Sequence, residues 1–153
     1  MPDAPTNADA DIDAGASPLD RLFAAALAAR ARAYAPYSNF LVGAALLDET
    51  GAIHAGCNVE NAAYPVGTCA EAGAIAALCL SGASEIREAV VLGWPRAADG
   101  TAAPLCTPCG GCRQRLREFA RPDVRIHIAG ATGILATFTV AELLPASFGP
   151  ENL

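Results

Sequence analysis

Residues 68–94 read TCAEAGAIAALCLSGASEIREAVVLGW, and the division of this stretch decides the fold. Its first half opens on Thr68 and carries the run Ala74-Ile75-Ala76-Ala77-Leu78, which reads as a helix with little polar surface, capped by Thr68 and stopped at Ser81-Gly82. Its second half, Ala89 to Trp94, is short, apolar and rich in valine, the pattern of a buried strand. A buried helix running directly into a buried strand is the unit from which layered α/β structures are built.

Working outward toward the N-terminus, Phe40 to Leu47 reads as another buried strand. Asp48-Glu49-Thr50-Gly51 is a turn signal, and Ala52 to Cys57 is the returning strand of a hairpin. Ser17-Pro18-Leu19-Asp20 is a helix start, and Leu19, Leu22, Phe23, Ala26 and Leu27 recur at helical spacing until Pro36 disfavours helix at Ala35. Residues 1–16, rich in Asp, Ala and Pro and without the basic and apolar blocks of a signal peptide, read as a solvated, disordered tail. In the other direction, Pro95 to Pro104 is a loop, and Thr107-Pro108 starts a helix that runs to about Phe119. Val124 to Ile128 and Gly133 to Phe138 read as strands, and Thr139-Val140-Ala141-Glu142 is a capping box for a last short helix. No internal repeat or second domain is visible, so residues 17–153 form one domain.

Composition narrows the function. The 153 residues carry a net charge of −6 with ten basic residues, leaving no footprint for a nucleic-acid backbone. No apolar run approaches the ~18 residues of a membrane span. A small neutral substrate fits better than a polymer or a membrane. The six cysteines, at 57, 69, 79, 106, 109 and 112, read as reduced thiols of a cytoplasmic chain.

Two short stretches carry the chemistry: Thr68-Cys69-Ala70-Glu71 and Pro108-Cys109-Gly110-Gly111-Cys112, each read as the first turn of a helix. Three thiolates can hold one zinc ion and leave a fourth position for water. Glu71, two residues from the first thiol, is placed to handle that water's proton. Helix-start N–H groups favour thiolate, so lowered thiol pKa values are expected at all three positions. Other readings of the same residues stand open. Cys109-x-x-Cys112 is also the spacing of a redox pair, and Cys106 could complete a closed four-thiolate site. Thr68-x-x-Glu71 is also a capping box, in which Glu71 bonds only its own backbone. Cys57 and Cys79 are assigned to packing, as is Trp94, and His54 and His127 to structure.

Taken together and in order, five stretches resemble the small homotetrameric zinc-dependent cytidine deaminases. They are Tyr37-Ser38-Asn39-Phe40, Gly56 through Tyr64, Cys69-Ala70-Glu71, Pro108 through Gln114, and Leu143-Leu144-Pro145 on through Phe148 to Leu153. The resemblance implies a three-layer α/β/α fold with a mixed central sheet of about five strands. It also implies one zinc per subunit on Cys69, Cys109 and Cys112, and Glu71 as the catalytic acid/base. Phe40, Asn58, Val59 and Glu60 take the substrate-contacting positions, with Asn58 and Glu60 at the ribose hydroxyls. Phe148 matches an aromatic that reaches a neighbouring subunit's site. The implied reaction is hydrolytic deamination of cytidine and 2′-deoxycytidine in pyrimidine salvage, with a related cytosine nucleoside analogue as the alternative substrate. One departure is visible: many members carry Arg directly after the catalytic Glu, where this chain has Ala72.

Overall fold

The structure is a computed structural model that describes residues 15–102 and 104–153. The expected N-terminal tail lies outside the described residues, apart from Gly15 and Ala16, which are exposed. Along the chain run α1 (Pro18–Arg30), β1 (Phe40–Asp48), β2 (Ile53–Cys57), α2 (Ala70–Leu80), β3 (Ile86–Pro95), α3 (Gly110–Phe119), β4 (Ala120–Ala129), β5 (Ile134–Thr139) and α4 (Val140–Leu143). Single 3₁₀ turns cover Tyr64–Val66 and Pro150–Asn152.

Local signals account for several of these boundaries. Ser17 and Asp20 form a reciprocal capping box at α1, and Thr139 and Glu142 another at α4. Asp48 closes the β1–β2 turn by accepting from the Thr50 and Ala52 amides at 2.8 and 3.0 Å. β4 begins four residues before the expected strand, because Ala120 already turns extended (φ −122°, ψ 136°) as the α3 cap.

The five strands form one mixed sheet, as expected, and its order is β2-β1-β3-β4-β5. β3 and β4 are parallel, joined through α3, and every other pair is antiparallel. Alternation along β3 sorts the core into two. Ala89 and Val91 face α2, α3 and α4, together with Leu46, Leu78, Leu116, Ile126 and Ile128. Val90, Leu92 and the buried Trp94 face Leu22 and Ala26 of α1. This makes three layers, helices on both faces of a sheet. Each fully enclosed Leu or Ile contributes roughly 2 kcal/mol of burial.

Two glycines let the helices lie close against the hairpin. A Cβ on Gly43 would fall 2.0 Å from the Ala26 carbonyl oxygen of α1. One on Gly56 would fall 2.4 Å from both the Ala70 oxygen and the Ala74 nitrogen of α2. The antiparallel register brings the start of β1 beside the ends of β2 and β3, with Phe40 opposite Pro95 and Gly43 opposite Cys57. Segments that enter or leave the sheet at this end, and the first residues of α2 and α3, are thereby brought to one place.

Candidate active site

The two cysteine motifs meet at that end of the sheet. Cys69 is the N-cap of α2 (φ −75°, ψ 157°) and Cys109 the N-cap of α3 (φ −65°, ψ 166°), while Cys112 lies buried in the first turn of α3. The caps expected from sequence, Thr68 and Thr107-Pro108, are therefore displaced, for a visible reason. Thr68 is held extended by a two-way bridge to Val59 (2.8 and 2.9 Å). The Arg113 side chain grips the Pro108 carbonyl at 2.8 Å and the Thr107 hydroxyl at 3.3 Å, and also reaches the Leu143 carbonyl at 2.9 Å. Cys69 makes no side-chain bond to its own helix, and the two cap sulfurs turn toward each other. The Sγ atoms of Cys69 and Cys109 are 3.8 Å apart, and all three sulfurs lie within 4.8 Å of one another.

Glu71 is buried, 3% exposed, in the first turn of α2 and lies close enough to share a hydrogen bond with the Cys112 thiol. Its carboxyl does not fold back on Thr68, so the capping-box reading of Thr68-x-x-Glu71 is overturned. Cys106 stands apart from the three-sulfur cluster. Burial, then the Glu71 charge, pushes its thiol up to about 11, which keeps it protonated at neutral pH. The sulfurs that come together are those of Cys69, Cys109 and Cys112, without Cys106.

Cys69, Cys109 and Glu71 wall a cavity of about 340 Å³, along with Val42, Asn58, Val59, Glu60, Tyr64, Thr68, Cys106 and Thr107, while Cys112 lies buried behind them. A second cavity of about 360 Å³ adjoins it, sharing Glu60, Tyr64 and Gly67 and adding Tyr37, Ser38 and Asn61. Asn58 accepts from the Val42 amide at 2.8 Å and donates to the Phe40 carbonyl at 2.9 Å, which splices the β2 exit onto β1. Glu60 accepts from the backbone amides of Tyr37 and Ser38 at 2.9 and 3.2 Å and from the Ser38 hydroxyl. The Ser38 bond, ahead of the two amides, holds its carboxyl below the usual range, against a weaker opposing effect of burial. Phe40 lies behind the cavity wall: a Cβ on Gly93 would be 3.0 Å from the Phe40 ring, 3.0 Å from Val42 and 2.8 Å from the Cys106 sulfur. Phe148 is 58% exposed and lines neither cavity.

Comparison with known proteins assigns this arrangement to a family. Residues 17–128 match the family model described as the cytidine and deoxycytidylate deaminase zinc-binding region. The chain belongs to the cytidine and deoxycytidylate deaminase family. Similar relatives include the cytidine deaminase of Sporosarcina psychrophila, 40% identical over 135 residues, spanning 88% of this chain and 94% of the relative. That of Halalkalibacterium halodurans is 38% identical, over 88% and 98% respectively. Among solved structures, cytidine deaminase from Burkholderia pseudomallei aligns with a TM-score of 0.74 at 38% identity, covering 84% of this chain and 97% of that one. The three-layer reading of the sheet agrees with this relationship.

The donor set of this deaminase-family site fits zinc. Three sulfurs from two helix starts leave room for a fourth, non-protein ligand. Burial pushes the Cys69 thiol up. Burial, then the facing Glu71 carboxyl, pushes Cys112 up further. At Cys109, burial also acts upward but is outweighed by hydrogen bonds from the Cys112 amide and thiol and from Cys69, so its thiol lies below the ordinary value. The expectation that helix-start amides lower all three thiols is thus met at Cys109 alone. Ionising all three beside a carboxylate requires a cation among them, which is what a thiolate-bound metal provides.

Other residues of the site carried no assigned role in the sequence. Tyr64 and Gly67 line both cavities, Arg113 fixes the approach to Cys109, and Ser38 holds Glu60. Ser38, Tyr64 and Arg113 stood out only as members of the resembling runs Tyr37 to Phe40, Gly56 to Tyr64 and Pro108 to Gln114. Ala72 places no cation at the sulfurs. The histidines are structural: His54 pairs with buried Asp48 at 2.7 Å, and buried His127 bridges Glu88 and Thr137, each at 2.8 Å. Cys79, assigned to packing, is exposed on the outer face of α2.

Proposed function

We propose that this chain hydrolyses cytidine and 2′-deoxycytidine to the corresponding uridine nucleosides with release of ammonia, in pyrimidine salvage in the cytoplasm. The observation that carries this reading is the buried Glu71 carboxyl beside three clustered sulfurs, on the wall of a nucleoside-sized cavity.

In this reading Cys69, Cys109 and Cys112 hold the zinc. Bound there, zinc supplies Lewis acidity that brings a water's pKa from 15.7 toward about 7. Glu71 takes a proton from the attacking water and gives it to N3 of the cytosine, which makes C4 electrophilic. The water oxygen bonds to C4. Glu71 then passes the second proton to the 4-amino group, the C4–N bond breaks, and ammonia leaves. One carboxylate serves both transfers because water and base lie on the same side of the cavity, within one hydrogen bond of it. At the far end, Asn58 and Glu60 take the sugar hydroxyls, Val59 lines the floor, and Phe40 braces the wall. An ionised Glu60 beside the sugar disfavours a phosphate, so free nucleosides are preferred over nucleotides.

The proposal extends to a homotetramer in which Phe148 enters a neighbour's site. Its support is the cluster of exposed apolar residues around the cavities, with Tyr64 at 76%, Val66 at 66% and Tyr37 at 50% exposure.

The test is loss of cytidine ultraviolet absorbance with purified zinc-loaded protein, alongside Glu71→Gln. The variant keeps one zinc per chain and loses on the order of 10²–10⁴ in turnover. Near-normal turnover in that variant removes Glu71 from the role. Cytidine monophosphate, run in parallel, reacts poorly.

A further inference from the structure

The turn before β1 makes contacts that the proposed chemistry leaves unexplained. The Ser38 hydroxyl donates to one oxygen of Glu60 and accepts from the Phe40 amide at 3.0 Å. A single hydroxyl proton and its lone pairs allow both bonds at once. The other Glu60 oxygen takes the Tyr37 and Ser38 amides. The turn is itself braced: Asn39 adopts φ 55°, its amide donates to the Ala35 carbonyl at 3.1 Å, and its carbonyl accepts from the Arg96 amide at 2.7 Å.

We propose that Ser38 is a positioning residue that locks the Glu60 carboxylate to the start of β1 and so determines how the sugar of the nucleoside is read. This deepens the nucleoside reading above and rests on it. A carboxylate offers roughly four acceptor directions, and the turn occupies three of them. One direction remains for the cavity, enough for one sugar hydroxyl. The enzyme therefore penalises the loss of one ribose hydroxyl and tolerates the loss of the other. Removing the Ser38 hydroxyl frees one oxygen of Glu60 to rotate and to take water. Glu71 and the sulfurs, carried by the starts of α2 and α3, are left in place.

The experiment measures kcat and KM of zinc-loaded parent, Ser38→Ala and Ser38→Thr on cytidine, 2′-deoxycytidine and 3′-deoxycytidine, with metal content and Tm recorded for each. Ser38→Ala raises KM for cytidine by roughly tenfold, the scale of one charge-assisted hydrogen bond. It leaves kcat within about twofold on the same argument, and it shrinks the parent's penalty on the rejected deoxy analogue. Ser38→Thr, which keeps the hydroxyl, restores both. An unchanged KM, a fall in kcat alone, or an unaltered analogue penalty overturns the proposal. Should Ser38→Ala lose Tm or zinc, Ser38→Cys, with its weak donor, reads the same KM shift in a folded protein, and its absence there also overturns the proposal. A parent that does not deaminate cytidine sinks the functional reading, whereas an active parent with an indifferent Ser38→Ala sinks this inference alone.

Discussion

Asp48 ends β1 almost fully buried, and its two oxygens take the Thr50 amide and hydroxyl, the Ala52 amide and the His54 ring. The His54 bond, then the Thr50 hydroxyl, holds its carboxyl well below the ordinary value despite burial. Because the folded-state pKa lies below the unfolded value of about 3.9, the unfolded chain binds the proton first. The stabilisation is complete above about pH 4 and is lost as pH falls toward the folded-state value. Asp48→Asn is therefore expected to lower Tm clearly at pH 7, and the gap from the parent to narrow at pH 3; thermal unfolding of both proteins across that range checks it, and a gap that stays constant contradicts the assignment. Residues of this kind separate what was legible in the sequence from what was not. Cys69, Glu71, Cys109 and Cys112 could be read because zinc chemistry demands those residue types at short spacings. Ser38 could not, because its role lies in a bond to Glu60, 22 residues away.

The helix α2 is where element packing and chemistry meet. It carries Cys69 as its cap and Glu71 in its first turn, and it rests on β2 through the gap left by Gly56. Gly56→Val would drive two extra carbons and a Cβ into the Ala70–Ala74 backbone, lifting the end of the helix that bears both groups. Overpacking of this kind costs about 1–3 kcal/mol. The expected outcome is a lower urea midpoint together with fewer than one zinc per chain, whereas a variant with full zinc content and parental activity would show that α2 is positioned by other contacts. Sequence pattern found every helix and strand, because apolar periodicity and capping boxes are local. It misplaced the starts of α2 and α3 by one or two residues, because a bridge from Val59 and a grip from Arg113 decide them, and both come from elsewhere in the fold.

For the whole molecule, the C-terminal segment is the part that reaches outward. Gln114 donates to the Phe148 carbonyl at 3.0 Å, while Arg117 bonds Ser147 at 3.1 Å and pairs with Glu151, so α3 fastens the segment and leaves the Phe148 ring exposed. Among the described residues no helix is long and apolar enough to cross a membrane. If the proposed tetramer places that ring in a neighbour's site, the parent is expected to sediment at roughly four times the chain mass of 15.5 kDa, and Phe148→Ala to dissociate more readily and lose on the order of tenfold in kcat/KM, the scale of an aromatic hot spot. A monomeric parent, or a variant equal to it in both respects, would remove this part of the proposal. The sulfurs themselves come from positions 40 residues apart, with β3 laid down between them. During synthesis a ribosome must therefore release the chain past Cys112 before the cluster exists at all, and a nascent chain stalled before Cys109 offers the ion only a single sulfur of the set. Metal capture by the full set then follows the synthesis of β3, while β4 and β5 are still to be added behind it.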